Sequence, residues 1–444
     1  MNTRVKMGIS LVAVGCFLIV SSAIFQIQFT NVFETIVSDN LVLRPESQKI
    51  LTYFRHPPTE TFKLIYFFNV TNKDNVTETH PTFHKVGPYA YEEKREKYDL
   101  HFDEDAGTVT FLENKTHFFV PQMSGDGLTE SDLITTINVV MMSVAASNDN
   151  VPEKIKPLID LHITGEKPFI TKTVAELLFA GYDDHFLKEI GGLIGDSKFL
   201  EGKFGFFYHD RNHTDYRYHT IKSGVRGMKD YQDTIECGEF QNNIVNTTCG
   251  TFGDQFAPLV SRRKEKPLRL YWAQQCHSVW VEFREEVSRG PLTLYRYFVP
   301  NLDEAYCPCR CEGAFGSNFF FTPHSFIHPI HITRVVSKTF LDIEPITGFT
   351  VRATKHLQVY FPFKKWNING SSTFPNVSDS YKLPVILVNE TKEMPVENVA
   401  DLYHTLTLPF IIVHVGVGNL IVLGIALIVV GVRTCFRGYF WELK

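Results

Sequence analysis

Two uncharged apolar runs bracket a long segment in which polar and apolar residues alternate. The first runs from Met7 to Phe33, 27 residues without a charged side chain. A helix needs about 20 apolar residues to cross the hydrocarbon core of a bilayer, so this run is long enough. Arg4 and Lys6 precede it, and Glu34 is the first charge after it. The same features suit a cleaved signal peptide, with Leu11 to Val20 as its apolar region and Ser22 or Ala23 as the cleavage site. The pattern leaves both outcomes open. The second run, Leu402 to Val432, is densest from Pro409 onward and is followed by Arg433 and Arg437. Core helices of soluble proteins rarely run this long without a charge. Basic residues stay on the cytoplasmic side, so both ends are expected inside and the segment between them outside. The expected boundaries are a cytoplasmic tail at 1–6, a span at 7–29, an outer domain at 30–405, a span at 409–432 and a cytoplasmic tail at 433–444.

A few polar residues interrupt the spans. Gln26 and Gln28 could face His414 or Asn419, because polar groups in a bilayer seek partners. Gln28 and His414 are expected to reach the headgroup region, whereas Asn419 lies deeper. Neither span contains G-x-x-x-G, so no strong dimer interface is expected from that motif.

The outer segment reads as strand-rich. Thr61 to Val70 is aromatic and β-branched, and Phe102 to Leu112 reads as a hairpin turning on Asp and Gly. Strands also fit Lys203 to Tyr208, Tyr216 to Ile221, Val279 to Glu285, Leu292 to Val299 and Thr347 to Phe361. Helical patterning covers Glu130 to Ala146, with Thr129 or Ser131 as cap, and Thr171 to Leu178. No internal repeat or low-complexity linker divides the segment, so it is expected to be one domain.

Composition agrees with this placement. The 38 Phe and 18 Tyr favour a β-rich body, and a net charge of −5 offers nothing for nucleic acid. Eight N-x-Ser/Thr sequons stand at Asn69, Asn75, Asn114, Asn212, Asn246, Asn369, Asn376 and Asn389. All lie between the two runs, where chance alone would supply about three in the whole chain. Six of the eight cysteines fall in one window: Cys237, Cys249, Cys276, Cys307, Cys309 and Cys311. Outside the cell such a cluster reads as disulfides, with 15 pairings possible. The Cys307-Pro-Cys309-Arg-Cys311 spacing fits no standard zinc pattern. Cys16 lies inside the first span, and Cys435, just past the second, is a palmitoylation candidate.

No catalytic signature is present: there is no G-x-S-x-G elbow, H-E-x-x-H helix or phosphate-cradling Gly loop. An enzyme is therefore not expected, and no cofactor or metal is assigned. Thr164 to Phe169 matches a zinc-finger linker but has no ligand cysteines beside it. His324, His328 and His331 read as a surface loop, since Pro329 breaks any helix that would align them. The basic run Arg262 to Lys266 reads as a solvated loop.

Several segments then resemble one family. Leu341-Asp-Ile-Glu-Pro-Ile-Thr-Gly-Phe349 looks like the signature of the class B scavenger receptors, the fatty-acid translocase family. In physical terms it is a strand end, a Pro-initiated turn, a Gly for positive φ and another strand. Val86-Gly-Pro-Tyr-Ala-Tyr91, Glu176-Leu-Leu-Phe-Ala-Gly-Tyr-Asp-Asp184, Tyr295-Arg-Tyr-Phe-Val-Pro300 and Leu383-Pro-Val-Ile-Leu-Val-Asn-Glu-Thr391 also resemble family segments, in family order. The resemblance spans nearly the whole chain and implies a retained anchor rather than a signal peptide. It implies an α+β, β-dominated fold: a large antiparallel β-barrel-like ectodomain, an apical helical bundle at about 124–195, and two terminal transmembrane helices. It also implies a hydrophobic tunnel carrying lipid toward the bilayer. Lys167 and Lys172 fall near the family's basic apex positions, which contact anionic lipids and modified lipoproteins. Cys249 to Cys307 is the pair the family implies. The usual partners of Cys276 and Cys309 are missing, with Cys311 and Cys237 as substitutes. Only 30 residues separate Cys311 from Asp342, where relatives are longer, and His185 stands where relatives often have Pro.

The expected function is non-enzymatic. The chain is expected at the plasma membrane, binding fatty acids, phospholipids or lipoprotein particles and passing lipid toward the bilayer, with homo-oligomers allowed. A lysosomal receptor of the same family is the nearest alternative, although the tail after Cys435 lacks an acidic dileucine signal. A two-span ligand-gated channel is the alternative of a different class.

Overall fold

The structure, a computed structural model, describes residues 3–73, 80–141, 167–185, 187–189, 201–208, 213–214, 218–229, 231–233, 250–272, 277–299, 339–362, 367–368, 371–372 and 382–442. These divide into two compact units. One comprises Met1–Val42, Ser288–Thr293 and Val396–Lys444, and the other Leu43–Val287 with Leu294–Pro395.

The first unit is built on two helices long and apolar enough to cross a membrane. Helix α1 (Thr3–Leu41) continues twelve residues beyond the span expected to end at 29, because nothing from Thr30 to Leu41 breaks a helix. A short helix α2 (Gln48–Arg55) belongs to the second unit. Helix α3 (Val396–Leu402) runs through a π-helical turn, Tyr403–Thr407, into α4 (Leu408–Glu442). The wider turn falls just ahead of Pro409, whose ring would clash with the carbonyl four residues back in a regular helix.

The pairing of α1 and α4 was not visible to a search for four-residue glycine spacing. The buried residues of α1 include Gly8, Gly15 and Ser22, and those facing them on α4 are Val417, Gly424 and Gly431. Both sets recur every seven residues, which keeps one face of each helix turned to its neighbour. A Cβ added to Gly15 would lie 2.5 Å from the Gly424 carbonyl oxygen, and one on Gly8 2.7 Å from that of Gly431. Only glycine lets these backbones touch. Near the outer end, Gln26 Nε2 lies 2.9 Å from His414 Nε2, while His414 Nδ1 donates to the Phe410 carbonyl at 2.7 Å. His414 is thus held by the first helix rather than left to the headgroup region. Phe29 and Phe33 pack on Phe410 beside this pair.

The second unit is dominated by one sheet. Its long strands are β1 (Glu60–Val70), β2 (Phe83–Asp103) and β3 (Thr108–Phe119). Two short pairs follow: β4 (Leu133–Ile137) with β5 (Phe169–Thr173), and β6 (Tyr182–Asp183) with β7 (Lys203–Phe204). Then come β8 (His213–Thr214), β9 (His219–Lys222), β10 (Leu268–Trp272), β11 (His277–Arg289), β12 (Leu292–Phe298), β13 (Phe340–Ile343) and β14 (Thr350–Pro362). A small β15–β16 pair (Asn367–Ile368, Ser371–Ser372) precedes β17 (Lys382–Glu393). Eleven strands join in the order β10-β11-β12-β13-β14-β17-β1-β2-β3-β8, with β9 also on β3. Strand β1 is antiparallel to both β17 and β2, so chain-distant segments meet at the sheet centre. The ladder is open among the described residues, an antiparallel sheet rather than a closed barrel.

Alternation sets the inner face. Thr61, Lys63, Ile65 and Phe67 of β1 are buried, as are Val109, Phe111, Glu113 and His117 of β3. The hairpin turn expected between Phe102 and Leu112 is present, with Asp103 Oδ1 accepting from Ala106 N at 2.8 Å. The expected helix from Glu130 is instead strand β4: four of the five residues of Leu-Ile-Thr-Thr-Ile are β-branched, and the strand pairs with β5. Helix begins only at Val139, capped by Asn138 Oδ1, which accepts from Met141 N at 3.1 Å. Likewise Thr171–Thr173 is strand, and the helical part, 174–180, opens with an α-helical pair and continues as a π-turn over Glu176–Ala180. Only Lys203–Phe204 of the strand expected to Tyr208 is extended. Of the expected apical bundle, residues 142–166, 186 and 190–195 lie outside the described residues.

Candidate functional site

The interior of the outer sheet carries a belt of charge. Inward positions of β2 bring Glu93, Arg95 and Lys97 together, and those of β3 bring Glu113, Lys115 and His117. Lys63 enters from β1, Lys392 from β17, and Asp254 from the loop ahead of β10. Asp254 is the centre: Arg95 Nη2 donates to its Oδ1 at 2.8 Å, Lys97 Nζ to Oδ2 at 3.1 Å, and Lys392 Nζ to Oδ1. A second cluster joins Lys63 Nζ to Glu93 Oε2 at 2.5 Å, with His117 Nε2 3.1 Å from the same oxygen. His117 has no exposed side-chain surface and stacks on Phe179 at 4.6 Å between centroids.

The electrostatics follow from burial against neighbours. Burial works to raise Glu93 and Asp254, but the surrounding cations outweigh it and hold both carboxyls well below the usual range. Lys63 leads at Glu93, and Arg95, then Lys392, at Asp254. Burial also pushes the Lys392 ammonium down to about 8, and the like charge of Arg95 adds to this against the pull of Asp254. Three cations thus share one carboxylate.

This floor opens on a cleft. Tyr53, Phe54, Phe349 and Met394 contribute apolar lining, and Lys97, Asp254 and Lys392 charged lining. The buried hydroxyls of Thr59 and Thr350 on the same cleft have no hydrogen-bond partner among the described residues. Apolar residues, cations and spare hydroxyl donors thus meet at one small cleft, with room for about one water-sized group. Groups of His, Cys, Asp and Glu that could hold a metal are absent among the described residues.

Sequence reasoning missed this belt. From Glu92 to Lys97 every residue is charged, so alternation cannot tell the inner face from the outer. Only the inward direction of Tyr89 and Tyr91, carried forward in steps of two, would have marked Glu93, Arg95 and Lys97.

The segments singled out by resemblance prove to be framework. In the 341–349 turn, Glu344 Oε2 accepts from Thr347 N at 2.6 Å and Oε1 from Ile346 N at 3.0 Å. Gly348 adopts φ +76, and a Cβ there would sit 2.2 Å from the Phe256 carbonyl oxygen. Asp342, buried, takes Arg296 in a two-bond fork at 2.7 and 2.8 Å, which joins the 295–300 and 341–349 segments. Tyr91 of the 86–91 segment meets Phe179 of the 176–184 segment at 4.8 Å between ring centroids.

Other expected site residues are scattered. Lys167 is exposed, and Lys172 on β5 lies over the Tyr182 ring at 4.9 Å. Asn69 Oδ1 accepts from Thr135 N at 2.8 Å, Asn389 Oδ1 lies 2.7 Å from His356 Nδ1, and Asn114 is half-buried. Cys435 Sγ points to α1, 3.7 Å from the Val5 carbonyl. His185 lies 3.2 Å from Glu189. The basic run is partly tied down, with Arg263 donating to the Ala257 carbonyl at 2.6 Å and Lys264 to Glu286 at 2.8 Å. Asn75, Asn212, Asn246, Asn369, Asn376, the cysteines Cys237, Cys249, Cys276, Cys307, Cys309 and Cys311, and the histidines His324, His328 and His331 lie outside the described residues.

The family model of the CD36 family matches residues 12–318 and 332–435. The chain belongs to the CD36 family. The break in the match, 319–331, falls between Cys311 and Asp342. Among curated CD36-family relatives, scavenger receptor class B member 1 of Bos taurus is 25% identical over 94% of this chain and 87% of its own length. Scavenger receptor class B member 1 of Sus scrofa is also 25% identical, over 97% of this chain and 90% of its own. Lysosome membrane protein 2 of Mus musculus is 27% identical over 88% of each. The two apolar helices fit a two-span membrane protein of this family.

Proposed function

We propose that this CD36-family chain is a cell-surface receptor that binds lipids, lipoproteins or lipid-bearing particles and passes fatty acid or a related lipid toward the membrane. The observation that carries the reading is the CD36-family match across residues 12–318 and 332–435, with the small cleft lined by Phe54, Phe349, Lys97 and Lys392 as its candidate contact for an acyl carboxylate. The cleft's cations and spare hydroxyls are donors for an acyl carboxylate, and the likeness to proteins named scavenger receptors supports a receptor role. Lys167, exposed near β5, is the residue assigned to the first encounter with anionic lipid. Catalysis has no role in this reading.

The test is binding of a fluorescent long-chain fatty acid to the full chain in nanodiscs, with empty nanodiscs as the background. Affinity should fall up to about fourfold for each methylene removed, the value of 0.8 kcal/mol per CH₂. Lys392→Met should weaken the acid but leave its methyl ester unchanged. Binding no greater than to empty discs would sink the reading. The plasma-membrane placement is checked by surface biotinylation of expressing cells, which a lysosomal chain would escape.

A further inference from the structure

The charge cluster around Asp254 does not balance. Arg95, Lys97 and Lys392 converge on Asp254, and Lys115, Arg95 and Lys97 lie 3.2 to 3.8 Å from the Glu113 carboxylate oxygens. Four cations thus meet two carboxylates among the described residues. Glu93 also approaches Arg95, at 3.4 Å, but Lys63 already offsets it at 2.5 Å. Positive charge is left over where Lys97 and Lys392 are buried. Burying an uncountered charge is costly, so an excess of this kind calls for an anion.

The cleft beside the cluster supplies neutral donors as well. Thr350 lines it, is 1% exposed and has a hydroxyl with no hydrogen-bond partner among the described residues. Thr59 lines the same cleft with its hydroxyl likewise unpartnered. Buried polar groups without partners are uncommon, and these two stand together beside an excess of cations. The Lys392 ammonium has three protons to donate, and Asp254 accepts one. A water would satisfy the hydroxyls but leave the charge excess standing, whereas an anion answers both. The cleft has room for about one water-sized group, which suits a halide and not the larger phosphate or sulfate.

We propose that this cleft binds a single chloride ion, held by Lys392 and the hydroxyls of Thr350 and Thr59, as the counter-charge of the Asp254 cluster. The ion is an inorganic ligand of the folded chain and binds with no lipid present, so the inference stands apart from the receptor reading. Burial and the charge of Arg95 push Lys392 down to about 8, and an anion at this place works against that shift.

The test is urea unfolding of the purified full chain at about pH 7, where Lys392 carries its charge. Chloride replaces gluconate at constant ionic strength, gluconate being too large for the cleft. Above the dissociation constant, each tenfold rise in chloride should lower the unfolded-to-folded ratio about tenfold, and bromide should act alike. Thr350→Val keeps the side-chain shape and removes the hydroxyl. It should move the onset of the chloride effect at least about tenfold higher, the value of one hydrogen bond to a charged group. Lys392→Met should abolish the effect, while Lys94→Met, exposed on the same strand as Lys97, should keep it in full. Equal unfolding in chloride and gluconate overturns the proposal. So does a chloride effect that Thr350→Val leaves intact, or one that Lys94→Met removes.

Discussion

Between α1 and α4 the touching residues are the smallest available, Gly8 on Gly431 and Gly15 on Gly424, while inside the outer sheet they are among the longest, Arg95, Lys97 and Lys392 around Asp254. Both regions bury polar atoms, but they satisfy them differently. A helix bonds its own backbone, so the pair needs only close approach, and glycine permits it. A sheet interior that holds a row of ionised side chains needs each charge countered, and the belt does this through shared carboxylates. The difference predicts different failures: the pair breaks when something is added, and the belt breaks when something is removed.

The largest effect is expected from Asp254→Ala, which leaves three cations together without their common acceptor. Unfolding of the purified full chain should be destabilised by about 3–5 kcal/mol, the cost of breaking one partner out of a buried pair. A loss below about 1 kcal/mol would mean that water reaches the belt. Next comes Gly424→Val, which forces side-chain atoms onto Gly15. Overpacking of this kind costs about 1–3 kcal/mol and should lower energy transfer between labels at the two chain ends while leaving Asp254-dependent stability unchanged. Equal transfer in variant and wild type would show that the seven-residue seam is not what holds the helices.

The last effect concerns pH. The folded Lys392 titrates near 8 and its ordinary value is 10.5, so between these the unfolded chain binds more protons. Stability should therefore rise as pH climbs through that window, and Lys392→Met should flatten the rise. The carboxylates behave in the opposite sense. Asp254 and Glu93 stabilise fully above their unfolded values near 4, and the contribution is lost as pH falls toward their depressed folded values. The belt should accordingly survive mild acid, which circular dichroism at pH 5 can check.

How much of this was readable beforehand differs by region. Long-range apolarity announced α1 and α4, and the 102–112 turn announced the β2–β3 hairpin, since both signals are local. The 341–349 segment could be read as a turn needing a positive-φ glycine, and Gly348 supplies it. The β4 strand was missed because four short β-branched residues sit inside a longer helix-like period, and pairing with β5 decided the matter. The Gln26–His414 pair was among the helix–helix contacts the sequence offered, but the glycine seam was missed because the glycines recur at seven, not four.

From the sequence alone came the two spans, the β-rich outer segment and the family, because apolar length, alternation and motif order are properties of the chain read in line. What only the tertiary structure decided was which charges share Asp254 and which face of α4 meets α1. Those answers depend on residues from 93 to 392, and from 8 to 431, being brought together, and no local pattern carries a partner's address across that separation.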